Sequence, residues 1–118
     1  MKVQGVHHVS INVDDVDAAV AFYVGTLGLV QRQDRPDFGI AGAWLDAGGQ
    51  QVHLIGLAPP PAQGQHFAFQ VDDLDRVVTE LRGQGIEVSD PAGVGRNRQA
   101  FLADPAGNQV ELQQVAAS

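Results

Sequence analysis

The sequence predicts an α+β fold in which two tandem βαβββ modules form a curved eight-stranded sheet. Two observations support this fold class. The second half of the 118-residue chain matches the first half when His66 is aligned with His8, and each half contains alternating segments that are typical of strands around one helical segment. We expect a single domain, with module one at residues 1–57, a linker at 58–64 and module two at 65–118.

The internal repeat keeps one alignment without a gap, which we call the repeat register. Val13-Asp14-Asp15-Val16-Asp17 aligns with Val71-Asp72-Asp73-Leu74-Asp75. The pairs aligned farther from this cluster are His8 with His66, Asp46 with Asp104, and His53 with Glu111. A common helix-entry sequence would explain the first match but not the later ones, so we interpret the two halves as a duplication.

Each half has the pattern of a strand, a helix and then three strands. Residues 6–13 alternate between apolar and polar side chains, which indicates a strand with one polar face. Asp14 and Asp72 are expected to cap the following helices, and glycines mark the helix ends. Hairpin turns follow at residues 46–49 and 104–107, and three consecutive prolines lie in the linker.

The composition excludes several classes of function. Fourteen acidic and seven basic residues give a formal charge of −7, which would repel a nucleic-acid backbone. Because the chain has no cysteine, disulfide scaffolds and thiolate zinc sites are excluded. The apolar run from Ala18 to Val24 is too short to cross a membrane, and the first residues lack the apolar core of a secretory signal. We therefore expect a cytoplasmic protein without nucleic-acid or membrane partners.

Four side chains that can ligate a metal alternate with apolar residues and so share the polar strand faces. They are His8, His53, His66 and Glu111. If an approximate two-fold axis relates the halves, these side chains converge on one point inside the sheet. Three imidazoles and a carboxylate suit a divalent metal ion, and Zn, Ni, Fe and Mn all remain possible. His7 lies on the opposite face, so we expect it to be structural.

Other chemistries have less support in the sequence. Ser10 shares a face with His8, but no serine lies in a nucleophile elbow, and the glycines form no phosphate-binding motif. Arg96 and Arg98 form a basic cluster that could bind an anionic substrate group. A solvated loop explains these two arginines equally well.

Three segments carry a resemblance to a known family. They are His8-Val9-Ser10-Ile11-Asn12-Val13-Asp14, His66-Phe67-Ala68-Phe69-Gln70-Val71-Asp72 and Asp104-Pro105-Ala106-Gly107-Asn108-Gln109-Val110-Glu111-Leu112. Together they resemble the vicinal oxygen chelate superfamily over nearly the whole chain. This superfamily includes glyoxalase I, bleomycin and fosfomycin resistance proteins, methylmalonyl-CoA epimerase and extradiol dioxygenases.

The resemblance implies a metal-ligand set closest to that of glyoxalase I-like members. His8, His66 and Glu111 fall on the three ligand positions that most members share, and His53 falls on the fourth. Glyoxalase I and the epimerase usually place Glu or Gln there, so His53 either ligates the metal or contacts the substrate. Short members commonly form homodimers in which both chains complete each site.

These residues lead to a functional hypothesis. A divalent metal ion can stabilise an enediolate of a small, vicinally oxygenated substrate, and Glu111 could move the proton between neighbouring carbons. The sequence therefore predicts a glyoxalase-like, metal-dependent lyase or isomerase. An Fe(II) extradiol-type dioxygenase and a metal-free drug-binding protein of the bleomycin-resistance type are the alternatives.

Overall fold

The computed structural model describes residues 1–117 and divides into two compact units, Met1–Pro61 and a second unit that begins at Ala62. The elements of the first unit are β1 (His8–Asn12), α1 (Val16–Val20) with a π-helical continuation (Ala21–Thr26), β2 (Val30–Gln31), β3 (Gly42–Ala47) and β4 (Gln50–Ile55). Those of the second are β5 (Phe67–Gln70), α2 (Leu74–Gly83), β6 (Ala92–Val94), β7 (Asn97–Ala103) and β8 (Gln109–Gln114). Each unit has the order βαβββ, which confirms the predicted α+β class and the tandem modules.

The eight predicted strands are present, and they belong to two four-stranded sheets rather than to one hydrogen-bonded sheet. The strand orders are β1-β4-β3-β2 and β5-β8-β7-β6. In each module the first strand pairs in parallel with the last, and the remaining pairs are antiparallel. The helix after the first strand supplies the crossover that a parallel pair requires. Each module therefore completes its own sheet.

The repeat holds for the strands at the centre of each module. Val9 pairs with Val52 in the first sheet, and Phe67 pairs with Val110 in the second. Val9 aligns with Phe67 in the repeat register, and Val52 aligns with Val110, so the parallel pairing is the same in both sheets. Side chains at equivalent positions of these strands therefore point to equivalent faces.

The predicted match of Asp46 with Asp104 is wrong by one residue. Asp46 pairs with Gln51, whereas the residue that pairs with Gln109 is Ala103, so the strand before the hairpin is shifted by one position from the repeat register. The cause is the turn, because five residues separate the paired Ala103 and Gln109. Only four residues separate Asp46 from Gln51. The identity of the two aspartates in the sequence is therefore not a structural equivalence.

The helix caps lie one residue later than predicted. Asp15, not Asp14, accepts a hydrogen bond from the Ala18 backbone N–H at 3.0 Å. Asp73, not Asp72, accepts one from the Arg76 N–H at 3.2 Å. An N-cap side chain reaches the N–H three residues ahead, so the cap is the residue directly before the first helical turn. Both caps still obey the repeat register.

Each helix covers one face of its own sheet. α1 contacts β3 and β4, and α2 contacts β7 and β8. The apolar residues of the last strands are buried on these faces, including Leu54 and Leu112. We call the opposite face of each sheet the ligand face, because alternation places the candidate ligands of β4 and β8 there. In the described part of the chain, every helix falls short of the apolar length needed to cross a bilayer.

Candidate metal centre

Module one brings His8 and His53 together on its ligand face. β1 and β4 are neighbours, and the two imidazole rings stack with centroids 3.9 Å apart and planes 13° apart. Trp44 on β3 pairs with His53 and stacks on it at 4.6 Å and 15°. Because β4 lies between β1 and β3, the His53 ring lies between His8 and Trp44. Its side chain is only 9% exposed, and its Nε2 is 2.8 Å from the Gln51 Oε1.

The surroundings of His53 favour its neutral form. Burial lowers the pKa of His53, and the electrostatic effect of nearby basic side chains lowers it further. Those groups are, in order of effect, His8, His7, Arg32 and Arg35. A neutral imidazole has a nitrogen lone pair and is the form that binds a metal ion. Module one therefore keeps a potential ligand unprotonated on this face.

Module two brings His66 and Glu111 together. His66 directly precedes β5, and its Nε2 is 3.0 Å from the Glu111 Oε1, while its Nδ1 donates to the Gly64 carbonyl at 2.8 Å. The Gly64 and Glu111 contacts raise the pKa of His66, the Gly64 hydrogen bond having the larger effect. Glu111 is 8% exposed. A carbonyl only accepts hydrogen bonds, so Nδ1 holds a proton and Nε2 is the nitrogen left to bind a cation or a second proton.

The two pairs occupy related positions. His53 pairs with Ser10, and Glu111 pairs with Ala68. Ser10 and Ala68 are equivalent in the repeat register, as are His53 and Glu111. Each is flanked on the antiparallel side by an aromatic residue, Trp44 in module one and Phe101 in module two. The ring of Phe101 meets that of His66 edge-on at 5.5 Å. The sequence comparison missed this equivalence because the repeat register aligns Trp44 with Leu102, the residue after Phe101.

The structure brings the four predicted ligands together as two pairs, one within each module. Among residues 1–117, no group of three or more His, Cys, Asp or Glu side chains is placed to hold a metal ion. The complete four-residue set therefore stays a prediction. The predicted placement of His7 on the helix-packed face is wrong: it is exposed, and its Nδ1 lies 2.9 Å from that of His8. β1 begins at His8, so strand alternation does not extend to His7.

The two arginines of the predicted basic cluster have different surroundings. Arg98 donates two hydrogen bonds of 3.0 Å to the Asp75 carboxylate on α2. These contacts attach β7 to the helix and favour a structural role for Arg98. Arg96 is exposed in the turn between β6 and β7.

Comparisons with known proteins agree with this architecture. The family model of the Glyoxalase/Bleomycin resistance protein/Dioxygenase superfamily matches residues 5–112. The chain is 32% identical to the uncharacterized protein YwkD of Bacillus subtilis, over 95% of this chain and 98% of that protein. It is 30% identical to the ethylmalonyl-CoA/methylmalonyl-CoA epimerase of Cereibacter sphaeroides, over 92% of this chain and 96% of that protein.

A solved structure gives the same result. A glyoxalase-family protein from Bacillus anthracis superposes with a TM-score of 0.87 at 30% identity, covering 97% of each chain. The chain therefore belongs to the Glyoxalase/Bleomycin resistance protein/Dioxygenase superfamily, as the three quoted sequence segments predicted.

Proposed function

We propose that this superfamily member is a metal-dependent lyase or isomerase that moves a proton beside two adjacent oxygens of a small substrate. One observation carries the proposal: each module brings together two side chains that can ligate a metal, His8 with His53 and His66 with Glu111, at repeat-equivalent positions. The 30% identity to an epimerase over 92% of this chain supports proton-transfer chemistry.

The donor set fits a divalent metal ion. His8, His53, His66 and Glu111 would hold it, with imidazole and carboxylate groups that Zn, Ni, Fe and Mn all accept. Burial lowers the pKa of His53, which favours the metal-binding form, and the Gly64 carbonyl fixes Nδ1 of His66 as a donor, which leaves Nε2 for the metal. When bound, the ion would polarise the adjacent substrate oxygens and stabilise negative charge on them.

Glu111 is the proposed proton carrier, since it is the only carboxylate of the four. Its Oε1 can accept a proton from a substrate carbon and return it to the neighbouring carbon. Burial of the side chain strengthens its electrostatic interactions. The stacked imidazoles of module one would contribute nitrogen donors and no proton transfer.

The assembly we propose is a homodimer. The ligand set takes two residues from each module, and superfamily membership makes exchange of modules between two chains a specific possibility to test. Sedimentation equilibrium gives the mass of the assembly. A mixed dimer of His8→Ala and Glu111→Gln chains tests whether both chains complete one site, because one of its two sites would then regain all four ligands.

Elemental analysis tests the metal proposal directly. Protein purified without a polyhistidine tag, and reloaded separately with each of the four metals, should retain a stoichiometric amount of at least one. His66→Ala should lose most of this metal, whereas His7→Ala, which removes the only histidine outside the set, should keep it. Retention by His66→Ala, or failure of the wild-type chain to bind any of the metals, contradicts the proposal.

A metal-free binding protein is the second candidate function. The stack of His8, His53 and Trp44 favours it, because stacked rings offer a flat surface to a planar drug. Stoichiometric binding of bleomycin by metal-stripped protein would support this reading. Oxygen uptake by iron-loaded protein in the presence of catechol would instead assign the dioxygenase chemistry.

A further inference from the structure

The loop between β2 and β3 places an arginine on the ligand face of module one. An added Cβ at Gly42 would lie 2.6 Å from Arg35 Nη2, so the guanidinium rests on that glycine. Gly42 and Trp44 are two residues apart on β3, and their side-chain directions therefore point to the same face. Arg35 consequently lies on the face that carries Trp44 and His53.

Two contacts hold the guanidinium of Arg35. Nη2 donates a hydrogen bond to the Ile40 carbonyl at 3.2 Å, and Cζ lies 5.1 Å from the centre of the Phe38 ring. The Phe38 ring is itself 6.1 Å from that of Trp44. A guanidinium has five N–H donors, so most of them remain available after the bond to Ile40.

The neighbouring Arg32 shows the contrast. It donates to Asp34 at 2.7 Å and 2.9 Å, and to Asp46 at 3.0 Å. No carboxylate within residues 1–117 forms an ion pair with Arg35. A half-buried, fixed guanidinium with unused donors is suited to bidentate binding of a carboxylate.

We propose that Arg35 binds a carboxylate of the substrate on the ligand face of module one. Gly42, against which the Arg35 guanidinium packs, lies ~7 Å along the strand from Trp44. Trp44 in turn stacks on His53. The carboxylate is therefore a short carbon chain away from oxygens held near His53. The substrate class is a short 2-oxo or 2-hydroxy acid with a second carboxylate at its far end. The part of this inference that concerns the vicinal oxygens rests on the proposed function.

Two matched probes test the inference in the metal-loaded full chain. 2-Oxoglutarate and 2-oxopentanoate share the same vicinal oxygens, and only the first has a distal carboxylate. Isothermal titration calorimetry should show a preference of about tenfold or more for 2-oxoglutarate, because charge-assisted hydrogen bonds are stronger than neutral ones. Arg35→Met should reduce this preference to about twofold or less. Arg76→Met, which removes an exposed arginine from α2, should preserve it.

Metal-stripped protein separates failure of this inference from failure of the proposed function. Trp44 is the only tryptophan, so its fluorescence reports glutarate binding on this face. If no metal binds but glutarate perturbs the wild type and not Arg35→Met, the arginine site stands and the metal-dependent function fails. If metal binds, the carboxylate site is overturned when the 2-oxoglutarate preference is missing in the wild type or persists in Arg35→Met. If no metal binds, it is overturned when glutarate leaves the wild type unperturbed or perturbs Arg35→Met equally.

Two further measurements complete the test. Tighter binding of inorganic phosphate than of glutarate would overturn the choice of a carboxylate. If circular dichroism shows that Arg35→Met is unfolded, Arg35→Lys replaces it, because lysine keeps the charge but loses the planar fork. The preference of Arg35→Lys for 2-oxoglutarate should be smaller than that of the wild type and larger than the twofold expected without a cation. A wild-type preference in the lysine variant would contradict bidentate binding.

Discussion

Modules one and two use the same strand register to present different chemistry. At the position paired with Ser10, module one has His53, whose pKa is lowered by burial and whose ring is stacked between two others. At the equivalent position paired with Ala68, module two has Glu111, which contacts an imidazole whose pKa is raised. The duplicated backbone therefore fixes where a candidate ligand lies, while the residue type and its neighbours set the chemistry at that position.

Equivalent core leucines give the largest expected effect. Leu54 and Leu112 are 1% and 2% exposed, and they align with each other in the repeat register. Truncating either to alanine should lower the free energy of unfolding by about 2–5 kcal/mol. Urea denaturation followed by circular dichroism measures both variants. The exposed Leu57→Ala is the control and should change stability by about 0.5 kcal/mol or less. A large effect in only one module would show that the two cores are not packed alike.

The two equivalent ligand positions should differ in their effect on metal affinity. Glu111→Gln removes the only anionic donor and should weaken binding by about 100-fold or more, beyond the loss typical of a supporting residue. His53→Gln keeps a neutral oxygen donor and should weaken metal binding by about tenfold. Competition with a chelator gives both affinities. Equal losses would show that charge does not distinguish the modules.

The two hairpin aspartates should also behave differently. Asp104 is 5% exposed and accepts hydrogen bonds from the Ala106 and Asn108 backbone N–H groups and from the Asn108 side chain. Asp104→Ala should destabilise the fold by about 1–3 kcal/mol, because these donors lose a buried partner. Asp46→Ala removes one half-exposed ion pair with Arg32 and should cost about 1 kcal/mol or less. Thermal unfolding measures both variants. Equal losses of stability would contradict the different roles assigned to the two aspartates.

Acid stability gives the smallest expected difference. Hydrogen bonds from Arg98 hold the pKa of Asp75 below its usual value of 3.8. The folded state therefore binds this proton less readily than the unfolded state. The resulting stabilisation is present above pH 3.8 and is lost as the pH falls through the lowered pKa. Asp75→Asn should reduce the decrease in Tm between pH 6 and pH 3.

Local patterns in the sequence were sufficient for much of the fold. Alternation placed His53 and Glu111 on the face opposite the buried Val52 and Val110, as the structure confirms. The division into two sheets depends on long-range pairing, which alternation does not specify. An ungapped alignment could not identify Trp44 and Phe101 as equivalents, because one turn is longer.

The position of Arg35 was outside the reach of sequence patterns for a different reason. It depends on how the β2–β3 loop folds onto Gly42, and no periodic sequence pattern predicts such a contact. The identity of Arg98 as a structural residue likewise depends on Asp75, a helix partner distant in the sequence. Residues in regular strands were therefore predicted well, and residues whose role depends on loop packing were not.

The unequal hairpin turns have a practical consequence for protein engineering. The hairpins β3–β4 and β7–β8 form the same antiparallel pairing, although the turn of the second contains one more residue. Chain length at this corner is thus free to vary, whereas an insertion inside β4 or β8 would rotate the ligands away from their face. The corner at Gly48 and Gly49 is accordingly a suitable point for grafting a reporter peptide or opening new termini.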